Sequence, residues 1–83
     1  MNINELIEIV RSKLDANFII QDITIEDKHK NHKGHKEGKF HLKLIIKSNE
    51  LAELNKIEST KKIYSILDIE LKDNIHSIQI LIN

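Results

Sequence analysis

The chain has 83 residues, of which 40% are apolar and 31% charged, with 13 acidic and 13 basic side chains and no cysteine. That composition fits one small globular domain spanning residues 1–83, able to hide roughly 60–65% of its unfolded surface. It excludes disulfide staples, a thiol nucleophile and any all-thiolate metal site, and a formal net charge of zero gives no global pull toward nucleic acid or membrane.

Residues 2–16 read as a helix, because Ile3, Leu6, Ile7, Val10 and Leu14 recur at helical spacing. Asn2 and Glu5 form a capping-box pattern, and Asn17 is the expected stop. No apolar run is long enough to span a bilayer. Glu5 and Glu8 interrupt any signal-peptide pattern, so a cytoplasmic location is expected. Residues 18–26 read as a strand with one wet face, since Ile23 and Ile25 alternate with Asp22, Thr24 and Glu26.

A second strand covers 39–47, with Phe40, Leu42, Leu44 and Ile46 on one side. His41, Lys43 and Lys47 fall on the other, and His41 reads as a surface residue or a support behind a ligand. Between the strands runs a polar connection, Asp27 to Gly38, holding both glycines and three of the five histidines. Connections of that length are usually functional or disordered. Its His29, His32 and His35 are spaced by three and could reach a metal from a flexible loop. The ordinary alternative is a solvated basic loop.

Ser48 to Leu54 reads as a short helical turn, and Asn55 with Glu58 repeats the helix-start signal. The helix then runs to about Leu71, with Ile57, Ile63, Tyr64, Leu67 and Leu71 as its expected buried side and Asn74 as a left-handed stop. Residues 74–82 form the last strand. A strand–helix–strand connection favours a parallel pair. The expected sheet therefore has three strands, the second in the middle, antiparallel to the first and parallel to the third, with helices on one face. Strict alternation puts His76 on the face of Ile78, Ile80 and Ile82. There it is either a packed, hydrogen-bonded histidine or a metal ligand held at a rigid strand end.

Several local patterns, in this order and spacing, resemble the BolA family over nearly the whole chain. Glu26-Asp27-Lys28-His29 is similar to the acidic-acidic-Ser-His segment that opens the family's strand-connecting loop. Lys39-Phe40-His41-Leu42 resembles its Glu-Thr-His-Phe strand start, and Ser48 stands where its second strand ends. Ile63-Tyr64-Ser65-Ile66-Leu67 matches the apolar part of its long helix, and Ile75-His76-Ser77-Ile78 its terminal Val/Ile-His-Ala-Leu. Two segments depart: Ser59-Thr60-Lys61 replaces the family's Arg-His-Arg, and Leu51-Ala52-Glu53 replaces its Phe-x-Gly.

The resemblance implies an α+β fold of the class II KH-like arrangement, in the order α-β-β-α-α-β. It implies an adaptor that joins a monothiol glutaredoxin, with glutathione, around a shared [2Fe-2S] cluster in iron–sulfur trafficking or iron regulation. His76 would be one ligand and one of His29, His32 and His35 another. The absence of cysteine fits a site whose sulfur comes from the partner. The isolated chain is expected to carry no cofactor and to be a monomer or a weak homodimer.

Two other functions are weighed against that one. A DNA-binding transcriptional regulator is also attributed to the family, and here it would use Lys56, Lys61 and Lys62 with the loop lysines. However, KH-type clamping needs a Gly-x-x-Gly loop between the helices, where this chain reads Glu53-Leu54-Asn55-Lys56. A small divalent-metal-binding protein is the third possibility. No catalytic constellation is visible, so no enzymatic activity is expected.

Overall fold

The computed structural model describes residues 2–28 and 39–83. The elements are α1 (Ile3–Asn17), β1 (Asp22–Asp27), β2 (Phe40–Lys47), α2 (Asn49–Ala52), α3 (Lys56–Ile66), α4 (Asp68–Asp73) and β3 (Ile75–Ile82). His29, His32 and His35, and with them the choice of a loop ligand, lie outside the described residues.

The sheet has three strands in the order β1-β2-β3. β1 pairs antiparallel with β2, and β2 pairs parallel with β3 across the helical crossover. Helices cover one face. Leu42, Leu44 and Ile46 of β2 meet Leu6, Val10 and Leu14 of α1, with Leu51, Ile63, Leu67 and Ile75 completing the buried cluster. Fully burying each such side chain contributes roughly 1.5–3 kcal/mol.

α1 begins on a complete capping box: the Asn2 side chain accepts from the Glu5 amide at 2.8 Å, and the Asn2 amide donates to the Glu5 carboxylate at 3.0 Å. It ends at Asn17, whose Nδ2 donates to the Lys13 carbonyl at 2.7 Å.

The first strand starts at Asp22, four residues later than its apolar pattern suggests. Residues 18–21 instead bind the β2–α2 turn. The Ile19 amide donates to Glu50 Oε1 at 2.8 Å, Ser48 Oγ donates to the Ile19 carbonyl at 2.8 Å, and Gln21 Oε1 accepts from the Asn49 amide at 3.0 Å. Ser48 is fully buried and also caps α2, accepting from the Leu51 amide at 3.2 Å.

The expected single long helix is broken at Leu67, whose backbone (φ −97°, ψ 20°) separates α3 from α4. No glycine or proline stands there, so the sequence carries no breaker. The buried stripe is Ser59, Ile63, Leu67 and Glu70. Ile57 and Tyr64, expected inside, are 73% and 43% exposed. Ser59 takes an inward place because its Oγ donates to the Lys56 carbonyl at 3.1 Å, which satisfies the hydroxyl. Glu70 is buried because Lys13 Nζ reaches its Oε2 at 2.8 Å and its Oε1 at 3.0 Å, pinning α4 to α1. Asn74 is not left-handed (φ −127°); its amide donates to the Glu70 carbonyl at 2.8 Å and its carbonyl accepts from the Phe40 amide at 2.9 Å.

Candidate functional site

The start of β3 sits where α4 ends and β2 begins. Lys39 Nζ donates to the Lys72 carbonyl at 3.2 Å, placing a cation at the C-terminal end of α4. The Phe40 amide bonds Asn74, and the ladder then pairs Phe40 with Ile75. The next pair is His41 with Ser77, so His76 is an extra residue: the strand bulges.

The bulge changes which way His76 faces. Ile75 is 3% exposed, and Ile78, Ile80 and Ile82 pack against the core, so two residues rather than one separate the first inward isoleucine from the second. Both of them, His76 and Ser77, are exposed. Strict alternation would have sent His76 inward with the isoleucines. The bulge turns it out, which removes the reading of a packed core histidine.

What His76 meets is His41. The two ring centres lie 4.9 Å apart with their planes tilted by 56°. His41 alternates with Phe40 and Leu42 and so occupies the open sheet face, as expected. Its Nδ1 lies 2.6 Å from Ser77 Oγ. A hydrogen bond at Nδ1 helps fix the ring's orientation. Two imidazoles are therefore held on adjacent strands of one sheet, one of them oriented by a neighbouring hydroxyl. Strand ends hold donors more firmly than loops do. Among the described residues no group of three or more His, Cys, Asp or Glu side chains is arranged to hold a metal ion.

Sequence reasoning placed His41 on the surface but missed its contact with His76. The signal was the three-residue step from Ile75 to Ile78 before the period-two run Ile78, Ile80, Ile82.

The lysines lie elsewhere. Lys56 lines a cavity of about 270 Å³ with Leu51, Ser59 and Thr60 of the helices and Ile80 to Ile82 of β3. From His76 that is four to six residues along the strand, or about 13–20 Å at the usual rise per residue. Lys62 lines a different cavity of about 550 Å³ with Phe18, Glu50 and Ile66. Lys61, its neighbour in sequence, is exposed and turned about 100° round the helix from it. Lys56 and Lys62 line neighbouring cavities that share Leu54. No described helix is long and apolar enough to cross a membrane.

Comparison with known proteins agrees with this architecture. The BolA domain of SufE1 from Arabidopsis thaliana is similar at 26% identity and a TM-score of 0.77, over 92% of this chain and 87% of that one. BolA1 from Arabidopsis thaliana is similar at 24% identity and a TM-score of 0.74, over 92% and 87%. A bol-like protein from Babesia bovis shares the fold at 15% identity and a TM-score of 0.72, over 90% and 79%. No curated protein sequence matches. The family profile described as BolA-like protein matches residues 14–83, and the chain belongs to that family.

Proposed function

We propose that this protein is a non-catalytic adaptor that binds a monothiol glutaredoxin and lends imidazole to a [2Fe-2S] cluster held between the two proteins. The observation that carries the reading is His76, turned outward by the bulge at the start of β3 and exposed to a partner.

The donor chemistry fits the group. Iron in a [2Fe-2S] cluster accepts histidine in place of cysteine, with a rise in reduction potential. This chain has no cysteine, so its share of the ligands is nitrogen and the thiolates come from the glutaredoxin and glutathione. His76 is the fixed donor, and one of His29, His32 and His35 is the second. The cluster is cargo here, and what this chain supplies is imidazole near the end of a sheet. A glutathione-rich cytoplasm suits that chemistry.

A nucleic-acid regulator is less well supported, because the chain has no net positive charge and no Gly-x-x-Gly clamp between its helices. The adaptor is tested by adding the protein to a cluster-loaded monothiol glutaredoxin and recording visible absorption and circular dichroism. The spectrum changes with the wild-type chain and stays that of the glutaredoxin alone with His76→Ala. An unchanged spectrum with the wild type removes the adaptor.

A further inference from the structure

The two outer strands of the sheet are not guarded alike. Edge strands usually carry charge or proline that discourages pairing with another chain. β1 carries Asp22, Glu26 and Asp27. β3 has no lysine, arginine, aspartate, glutamate or proline from Ile75 to Ile82. The Asn83 amide donates to the Ile46 carbonyl at 2.8 Å, so Asn83 faces β2. By the alternation of a strand, the amides and carbonyls of Ile78, Ile80 and Ile82 face away from β2, where no further strand lies among the described residues. Beside that edge, on the helix side, lies the cavity of about 270 Å³ between Leu51, Lys56, Ser59 and Thr60 and the Ile80–Ile82 end of β3. The edge therefore offers backbone to another strand, with space for that strand's side chains.

We propose that β3 pairs antiparallel with β3 of a second copy of this chain, joining two three-stranded sheets into one of six strands. Three outward-facing residues set the register. Ile80 lies on the twofold axis opposite the second copy's Ile80, and Ile78 lies opposite its Ile82, each pair exchanging N–H and C=O. These isoleucines are half-buried in the single chain and meet on the helix side, where Ile78 of each copy comes to the cavity beside Ile82 of the other. On the open face Gln79 meets the second copy's Leu81, a side chain 39% exposed in the single chain. A second copy suits this edge because two uncharged strands meet without desolvating an ion, and a formal net charge of zero gives the copies no mutual repulsion. The bulge at His76 ends the straight edge, so pairing runs from Ser77 to Asn83 and leaves His76 outside it. One short strand per copy makes a small interface, so the dimer forms and dissociates with concentration.

The test is sedimentation of the full chain from about 10 μM to about 1 mM, without glutaredoxin, so that its outcome is independent of the adaptor reading. The parent moves from the mass of one chain toward two. Ile80→Lys sets like charges across the twofold axis and weakens association at least about tenfold, whereas Thr24→Lys, exposed on β1, associates as the parent does. Ile80 is half-buried, so a second measurement leaves it intact: a nitroxide on Leu81→Cys, the sole thiol in the chain. The proposed register puts the two labelled positions about 8 Å apart, so the spectrum of the concentrated sample broadens and sharpens again on dilution with unlabelled chain. A single-chain mass at every concentration overturns the proposal and leaves the edge for a different partner. Association that Ile80→Lys leaves unchanged, or that Thr24→Lys weakens as much, also overturns it, as does a label that stays sharp while the mass doubles.

Discussion

The Lys13–Glu70 pair makes an asymmetric prediction. The Glu70 side chain is 7% exposed and that of Lys13 is 33% exposed, with Nζ to Oε2 at 2.8 Å. Replacing Lys13 with Met keeps the apolar stem but strands a nearly buried carboxylate. Removing one partner of a buried pair costs about 3–5 kcal/mol, and partial exposure of this pair brings the expectation to about 2–4 kcal/mol. Replacing Glu70 with Leu leaves Lys13 free to turn into water, so the cost is about 1 kcal/mol or less. The double variant Lys13→Met, Glu70→Leu should return to within about 1 kcal/mol of the parent. A domain of this size has a total stability on the order of 5–10 kcal/mol, so the single Lys13→Met change is readily seen in urea denaturation followed by circular dichroism. Equal costs for the two single variants, or a larger cost for Glu70→Leu, would refute the claim that burial of the carboxylate governs the pair. The outcome bears on the site, because this pair anchors α4, and the end of α4 leads directly into Ile75 and His76.

Other expectations follow from the same structure. Ser48→Ala should cost about 2 kcal/mol in thermal or urea unfolding, since one buried hydroxyl serves both the Ile19 carbonyl and the Leu51 amide. His76→Ala should leave stability within about 0.5 kcal/mol of the parent, because the side chain is exposed; a large loss would mean that the bulge depends on the imidazole. Binding to duplex DNA, titrated against salt, should be weak and sequence-blind, with Kd no tighter than about 10⁻⁶ M at physiological salt. Tight, sequence-selective binding lost in Lys61→Ala with Lys62→Ala would instead establish the regulator.

The sheet was legible because the connections constrain it: a polar link with no helical pattern allows an antiparallel neighbour, and a helical crossover favours a parallel one. Leu6, Val10 and Leu14 were legible from period alone. What could not be read were places where a polar group is satisfied by a distant partner. Ser59 and Glu70 lie in the buried stripe because of the Lys56 carbonyl and Lys13, and Ile57 and Tyr64 are correspondingly turned out. The break at Leu67 has no sequence mark. The strand start at Asp22 depends on Glu50 and Ser48, about thirty residues away in the chain. His76 was singled out from the sequence as the key residue, but its direction depends on one extra residue in one strand, which a period-two pattern treats as an error.

The central claim is that His76 meets the cluster at the bulged end of β3. Titrating the isotope-labelled chain with cluster-loaded monothiol glutaredoxin and recording paramagnetic line broadening by NMR tests it most directly. The account predicts that signals from Ile75, His76, Ser77 and His41 broaden beyond detection, while those of Ile80 to Ile82, about 13–20 Å along the strand, and of Lys56, which lines one cavity with them, persist. Broadening centred on Lys56 and Ile82 with the His76 signals unchanged would contradict it.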